Sequence, residues 1–401
     1  MTYSPITEVE VFVLEAKTAL LGEDLDSAAE TLIVRIHDEE GRVGVGETDS
    51  ASPAVQALIM MAGPHSLSMG LRQILIGKDP VQIGAIWDLL AASTVYNGSL
   101  GVARHALAAI DIALHDLAGK QLERPAFHLL GGARRTHVEP YATLYGGSVN
   151  GRSLTQMIDA MAELVDRALA HGFRSIKYEA LFEDLASDRH LVDIIKSVRS
   201  QIGSDVRLLI DFGYRWTDWR DALWTLNRLE TADIWLAEAT LQHDDYPSHA
   251  KLAQRVETRV GGGEFAASLQ ECRNWLEVGK VDCLQPDVAR AGGLTEMRRI
   301  TELAEQHGAI VVPHCWKTGI NFAAASHLQA ASRNVPLVEM FVPGFFPSTL
   351  REELVSPEPE LIDGKIKLPD APGLGVLLAD EILTKFQQTS SISQVQGYLS
   401  S

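Results

Sequence analysis

Three acidic residues, Asp211, Glu238 and Glu264, each close a short apolar run, and they stand 27 and 26 residues apart. A step of this size accommodates one strand, one helix and their loops, so the rhythm predicts successive βα units of a parallel barrel. The carboxyl ends of parallel strands meet at one rim of such a barrel. Because three carboxylates converging there offer hard oxygen ligands, the spacing predicts a Mg²⁺ site.

Strand-like runs continue this rhythm before and after the three acids, and they end in Lys177, Asp287, His314 and Glu339. Taken singly, each of these residues could be a helix cap, a surface ion pair or a satisfied buried group. Polar residues at matching ends of consecutive strands share no structural purpose, whereas barrel enzymes build their active sites at these ends. The pattern therefore predicts one active site at the rim.

Composition narrows the class of protein. The chain has 401 residues, 46% of them hydrophobic, which is enough for a sizeable core and two domains. Its net charge of −18 argues against nucleic acid or an anionic membrane as partner, because phosphate is bound through clustered Lys and Arg. No apolar stretch reaches the length of a membrane span, and three cysteines without CxxC spacing fit a reducing compartment. We expect a cytoplasmic protein that acts on a small molecule.

The pattern changes along the chain. Residues 1–130 read as an α+β domain that begins with a β-meander before residue 50 and includes an Ala-rich helix ending near Gly119. Residues 131–350 alternate strand and helix and give eight strand candidates, so they predict a (β/α)₈ barrel or a near variant. Residues 351–401 are loop-like, and we expect this segment to return to the first domain.

His314 is the leading candidate for a catalytic base. It ends its strand one βα unit after Asp287, and neighbouring strands of a barrel present their end residues side by side. A carboxylate on one imidazole nitrogen selects the tautomer, leaves the other nitrogen free to take a proton, and favours the imidazolium. With Mg²⁺ polarising a substrate carboxylate, the pair could remove the neighbouring proton.

Other rim residues could assist this chemistry. Lys177 would place its ammonium near the metal and the substrate carboxylate, and Glu179 shares its strand face. Glu339 could hydrogen-bond a substrate oxygen if its neighbours keep it protonated. Trp316 shares a face with His314 and either lines the pocket or belongs to the core.

The set of rim residues resembles the mandelate racemase subgroup of the enolase superfamily over nearly the whole chain. The rim residues that carry this resemblance are Asp211, Glu238, Glu264, Asp287, His314 and Glu339. The resemblance implies a modified (β/α)₈ TIM barrel, an α+β capping domain built from both chain ends, and a homo-oligomer. It also implies a Lys or His base and a Mg²⁺-stabilised enediolate. Two loops, Leu21 to Asp26 and Tyr96 to Gly98, resemble the specificity loops of the family.

One departure from the subgroup affects the predicted reaction. Its racemases carry Lys-x-Lys on the second barrel strand, whereas this chain has Lys177-Tyr178-Glu179. A two-base racemase needs a base on each face of the substrate, while a dehydratase can use one. We therefore expect a dehydratase of an aldonate or aldarate sugar acid. The alternatives are a racemase or epimerase with Lys177 or Tyr178 as the second base, a cycloisomerase, or a non-catalytic descendant that kept the barrel.

Overall fold

The computed structural model describes residues 4–16, 30–50, 52–63, 65–147, 151–181, 187–342, 345 and 348–387. An antiparallel sheet opens the chain, with strands β1 (Ile6–Glu15), β2 (Glu30–Asp38) and β3 (Val43–Thr48) in that order. The helices that follow it are α1 (Ser52–Met60), α2 (Leu71–Leu75), α3 (Ile83–Ser93) and α4 (Val102–Gln121). This arrangement confirms the predicted meander, and the Ala-rich helix ends two residues beyond Gly119.

The contact between β3 and α4 depends on glycine. A Cβ atom added to Gly46 would lie 1.9 Å from the carbonyl oxygen of Ala109, and one added to Gly44 would lie 2.2 Å from that of Ala113. The two glycines therefore allow the backbone of β3 to lie directly on the helix. Near the end of β3, Glu47 contacts the barrel by accepting a hydrogen bond from the hydroxyl of Thr318.

Parallel strands build the second layer, and within the described chain they form one eight-stranded sheet. They are β5 (Pro140–Tyr145), β6 (Ser175–Glu179), β7 (Arg207–Asp211), β8 (Ile234–Glu238), β9 (Arg259–Gly262), β10 (Cys283–Leu284), β11 (Ile310–Val311) and β12 (Val338–Met340). The short strand β4 (His137–Val138) precedes them. The order β11-β10-β9-β8-β7-β6-β5-β12 gives a curled sheet, and no ladder joins β11 to β12 among these strands. The predicted modified barrel is thus confirmed.

Helices alternate with these strands as predicted. They are α5 (Leu154–Ala170), α6 (Asp188–Ile202), α7 (Trp219–Arg228), α8 (Tyr246–Ala253), α9 (Leu269–Glu277), α10 (Gly293–Gln306) and α11 (Gly319–Ala331). The main hydrophobic core fills the layer between strands and helices, and a smaller apolar cluster that includes Tyr141, Leu236 and Val312 fills the barrel interior. None of the described helices combines the length and the apolar character needed to cross a bilayer.

Three of the predicted rim residues lie beyond the hydrogen-bonded part of their strands. They are Glu264, Asp287 and His314. Strand β9 ends at Gly262 and is followed by Gly263 with a φ of +103°, so Glu264 belongs to the next loop. After β10 and β11 come Pro286 and Pro313, which have no N–H to continue a ladder. Asp287 and His314 therefore sit in loops just above the sheet.

The C-terminal segment contains more structure than its loop-like sequence suggested. It forms α12 (Thr349–Glu353), β13 (Val355–Ser356), β14 (Leu361–Ile362), β15 (Lys365–Lys367), β16 (Leu377–Leu378) and α13 (Asp380–Phe386). Strand β15 pairs with β4, and Gly373 exchanges backbone hydrogen bonds with Arg124 and Ala126. Asp380 pairs with Arg35 of β2 at 2.7 Å. The segment thus contacts the first sheet, while the predicted domain limits themselves stay predictions.

A buried histidine ties α11 to the C-terminal segment. Nδ1 of His327 accepts a hydrogen bond from the backbone N–H of Phe127 at 3.2 Å, and Nε2 donates to the carbonyl oxygen of Leu374 at 3.1 Å. The side chain is fully buried. Burial lowers the pKa of His327 to about 4, so the neutral ring is the folded form.

This histidine should make folding stability fall in acid. The unfolded chain binds the proton at an ordinary pKa of 6.5 and the folded chain only at about 4, so the unfolded state holds more protons between these values. The free energy of unfolding then decreases as the pH falls from 6.5 to 4, by up to about 3 kcal/mol from this residue. Urea unfolding of His327→Asn at several pH values should show lower stability at pH 7 but a shallower acid slope. An unchanged slope would contradict this assignment.

Candidate active site

His314 and Asp287 form the predicted pair. Nδ1 of His314 donates to Oδ2 of Asp287 at 2.6 Å, and both side chains are buried. Oδ1 of Asp287 accepts from the backbone N–H of Ala289 at 2.7 Å, and the amide of Asn321 donates to both carboxylate oxygens at 3.1 and 3.4 Å. The carboxylate therefore has a defined orientation, and Nε2 of His314 is the nitrogen left to exchange a proton.

The charges around His314 favour its protonated form. Burial alone lowers the pKa of His314, but the hydrogen bond to Asp287 and the negative charge of Glu339 raise it to about 9. For Asp287, burial acts in the opposite direction, and the contact with His314 outweighs it and lowers the carboxyl pKa. Nε2 lies 3.7 Å from Oε2 of Glu264. A divalent cation bound by Glu264 would offset part of the negative charge that raises the pKa of His314.

Lys177 lies at the centre of the carboxylates. Its Nζ is 2.8 Å from Oε1 of Glu339, 3.0 Å from Oε1 of Glu238 and 3.7 Å from Oδ2 of Asp211. Burial alone lowers the pKa of Lys177, but the charges of Glu238 and Glu339 outweigh it and hold the pKa well above its usual value. Lys177 is thus a fixed buried ammonium.

The structure corrects the expectation for Glu339. Its neighbours do not keep it protonated, because Oε1 accepts from Lys177 and from Thr143 and Oε2 accepts from the backbone N–H of Cys315 at 2.8 Å. Burial raises the pKa of Glu339, but the charges of Lys177 and His314 and these hydrogen bonds lower it overall. The ionised carboxylate matches this set of donors.

The three predicted metal ligands have the chemistry of a cation site. Oε2 of Glu238 is buried and accepts no hydrogen bond from any described residue. Burial raises the pKa of Glu238 to about 7 and that of Asp211 to about 6, and the neighbouring carboxylates add to this effect while Lys177 opposes it. Glu264 accepts a hydrogen bond from Tyr214 at 2.8 Å. Residues of this kind fit a hard divalent cation.

Among the described residues, the group of possible ligands whose atoms all lie within 4.8 Å of one another is Asp49, Asp287 and His314, and not the three predicted carboxylates. Two observations argue against a metal there. The 2.6 Å hydrogen bond already uses Nδ1 of His314 and Oδ2 of Asp287. Asp49 is also paired with two cations, Arg290 at 2.7 Å and Lys317 at 3.1 Å.

The sequence did not predict the ion pairs that Asp49 forms with Arg290 and Lys317. Asp49 follows β3 in the first domain, while Arg290 and Lys317 each stand three residues after a member of the dyad. Arg290 also donates to the carbonyl oxygens of Asp49 and Glu264 at 3.2 and 3.4 Å. The equal spacing of Arg290 from Asp287 and of Lys317 from His314 could have indicated two cations near the site. Nothing in the sequence indicated that Asp49 lies beside them.

Strand β6 presents Lys177 and Glu179 on one face and Tyr178 on the other. Glu179 pairs in register with Asp211 of β7. Burial raises the pKa of Glu179 well above its usual value, and the charges of Asp211 and Glu339 add to this effect against that of Lys177. Tyr178 is buried in the main core between strands and helices. It does not lie on the face that carries the dyad and the carboxylates.

The remaining predicted contacts differ in position. Trp316 is partly buried, and its ring packs edge-on against Phe341 at 4.7 Å. Tyr96 lies in a 3₁₀ turn after α3, is 69% exposed, and packs edge-on against His65 at 5.1 Å. These contacts do not bring Tyr96 to the dyad, so its substrate role stays a prediction. The predicted loop from Leu21 to Asp26 lies outside the described residues.

Comparisons with known proteins agree with this geometry. Residues 9–131 match the family described as "Mandelate racemase / muconate lactonizing enzyme, N-terminal domain", and residues 160–382 match "Enolase C-terminal domain-like". The chain belongs to the mandelate racemase subgroup of the enolase superfamily. Proteins of this superfamily bind a divalent metal.

Relatives within this family carry out related reactions. The D-galactarolactone cycloisomerase of Agrobacterium fabrum is 31% identical, with 94% of this chain and 98% of the relative covered. The arabinonate dehydratase of Saccharolobus solfataricus is 30% identical, with 89% and 91% covered. A crystal structure of a racemase from Streptomyces coelicolor with bound magnesium is similar at a TM-score of 0.76 and 26% identity, covering 95% of this chain and 100% of that one.

Removing the buried ammonium should destabilise the fold. In Lys177→Met, Glu238 and Glu339 keep their buried charges without a cation, and we expect a loss of about 3–5 kcal/mol in the free energy of unfolding. Lys385→Met removes an ion pair with Glu353 at the surface, and this control should lose less than about 1 kcal/mol. Urea unfolding of both variants without added metal makes the comparison, and equal losses would refute the structural role of Lys177.

Proposed function

We propose that this protein is a Mg²⁺-dependent dehydratase that converts a sugar acid, an aldonate or aldarate, to a 2-keto-3-deoxy acid. The observation that carries the proposal is the difference between His314 and the two residues predicted as a possible second base, Lys177 and Tyr178. Nε2 of His314 lies 3.7 Å from Oε2 of Glu264, whereas Lys177 is held as an ammonium and Tyr178 is buried in the core between strands and helices. A racemase that relies on either of these as its second base is therefore disfavoured.

The metal would be held by Asp211, Glu238 and Glu264. Bound there, Mg²⁺ supplies a Lewis acid that stabilises negative charge on the substrate carboxylate. Lys177 adds a fixed positive charge beside Glu238, one of these three predicted ligands. Because Asp287 is hydrogen-bonded to the imidazole, it favours the imidazolium that forms when His314 takes a proton.

The reaction then needs only one proton carrier. His314 removes the proton from the carbon next to the substrate carboxylate, and the electron pair passes into that carboxylate. It returns to form a carbon–carbon double bond as the β-hydroxyl leaves, and His314 returns its proton to that oxygen so that water departs. The enol that remains takes up a proton at the β-carbon and gives up its hydroxyl proton, and so becomes the 2-keto-3-deoxy acid.

An isomerase is the second candidate, and the cycloisomerase relative favours it. If the β-oxygen of the substrate belongs to a ring, the same elimination opens the ring instead of releasing water. The proton balance and the single base are unchanged, and the net reaction is an isomerisation. The difference lies in the substrate and not in the dyad.

A panel of mono- and diacid sugars and their lactones tests the proposal with purified protein and Mg²⁺, with detection of 2-keto products and an EDTA control. We expect an open-chain acid to lose water in a reaction that EDTA abolishes. Turnover of ring substrates only would favour the isomerase. Deuterium uptake from D₂O with inversion of recovered substrate would indicate a racemase or epimerase.

His314→Asn should abolish turnover while preserving the site. Loss of a general base lowers kcat by about 10²–10⁴-fold, and here the same group also protonates the leaving oxygen, so we expect the upper part of this range. The variant should still bind Mg²⁺, as measured by calorimetric titration. Full activity in His314→Asn would refute the mechanism.

Glu238→Gln tests the metal site separately. Replacing one carboxylate by an amide removes a charged ligand, and we expect Mg²⁺ to raise the melting temperature of the parent protein but not that of the variant. Asp193→Asn, a change on α6 away from the rim, serves as the control. A protein that shows no Mg²⁺ binding at all would support the non-catalytic alternative.

A further inference from the structure

Glu47 links the first domain to the barrel. It lies at the end of β3 and is fully buried. Oε1 accepts a hydrogen bond from the hydroxyl of Thr31 at 2.7 Å. Oε2 accepts from the hydroxyl of Thr318 at 2.8 Å and from the backbone N–H of Asn321 at 3.1 Å. The carboxylate of Glu47 thus accepts hydrogen bonds both from β2 of its own sheet and from the start of the barrel helix α11.

The position of Glu47 stabilises the start of α11. The first N–H groups of a helix have no partner within it, and a carboxylate there also interacts favourably with the helix dipole. Thr318 is the N-cap of α11, and its hydroxyl also accepts from the N–H of Ile320 at 3.3 Å. Glu47 therefore restricts both the position and the orientation of this helix terminus.

Asn321 carries this restriction to the dyad. Its backbone is held by Glu47, and its side-chain amide donates to both oxygens of Asp287. Asp287 in turn accepts from Nδ1 of His314 at 2.6 Å. All four residues are buried. A continuous chain of hydrogen bonds and one helix turn thus connects the first domain to the base.

We propose that Glu47 is a positioning residue for the dyad. By fixing the first turn of α11 it sets the amide of Asn321, which orients Asp287 and so directs Nε2 of His314. The first domain then contributes to the chemical step. The catalytic consequence rests on the proposed function, whereas the effect on dyad geometry does not.

A matched control exists at the neighbouring helix. Asp111 of α4 is also buried, and it accepts from the backbone N–H and the hydroxyl of Thr295 at 2.9 and 2.6 Å in the first turn of α10. It makes the same kind of contact between the two domains. Within the described structure, Thr295 has no hydrogen bond to Asp287 or His314. Loss of Asp111 should therefore weaken domain contact without disturbing the dyad.

The kinetic test compares Glu47→Ala, Asn321→Ala, their double variant and Asp111→Ala. We expect the first two to lower kcat by about 10–100-fold with little change in KM, as for lost supporting contacts of a site. Because both act through one path, the double variant should resemble the worse single variant. Glu47→Gln keeps an acceptor for Asn321 and should recover much of the activity. Asp111→Ala should lose stability but retain kcat.

Nuclear magnetic resonance tests the geometry without substrate. The Nδ1 proton of His314, identified by its loss in His314→Asn, should resonate downfield because of the short bond to Asp287. We expect this signal to shift or broaden in Glu47→Ala and Asn321→Ala and to persist in Asp111→Ala. The same response in all variants, or multiplicative kinetic losses, would overturn the proposal. If Glu47→Ala does not fold, an unchanged signal and kcat in Asn321→Ala would also overturn it.

If the panel of sugar acids yields no product, the proposed function fails but the resonance still reports on Glu47. If dehydration is found and the resonance does not respond to Asn321→Ala, the function stands and the positioning role falls. The two conclusions can therefore be separated.

Discussion

The ion pairs of Lys177 are the interaction on which the rim of the barrel depends. Strands β6, β7, β8 and β12 bring several carboxylates to one end of a barrel whose interior is apolar. Neighbouring carboxylates repel one another strongly when water is excluded. One ammonium between Asp211, Glu238 and Glu339 offsets part of that repulsion. The remaining negative charge is what makes the centre suitable for a divalent cation.

Contact between the two domains is also organised by buried carboxylates. Glu47 accepts from the start of α11, Asp111 from the start of α10, and Asp116 from the backbone N–H of Leu374 in the C-terminal segment at 2.8 Å. Each carboxylate accepts at least one backbone N–H, and that donor stays in place when a side chain is substituted, whereas the hydroxyl donors Thr318 and Thr295 do not. Since α10 and α11 follow the loops of Asp287 and His314, docking of the first domain and orientation of the dyad use the same helix ends.

The sequence predicted most of the barrel because strand periodicity and strand-end acids are local signals. Strands β7 and β8 end at Asp211 and Glu238 as predicted. The same periodicity would have excluded Tyr178 as a second base, since it must face away from Lys177. The protonation of Glu339 could not be predicted, because it depends on the 2.8 Å contact with Lys177, which lies six strands earlier in the chain.

The sequence by itself determined the order of the βα units and the residue types at their ends, because these follow from spacing along one strand and helix. Only the tertiary structure decided which charges meet. Asp49 reaches Arg290 across 241 residues, and Glu47 reaches Asn321 across 274. Such contacts depend on how one domain docks on the other, and no periodic pattern in the chain encodes that position.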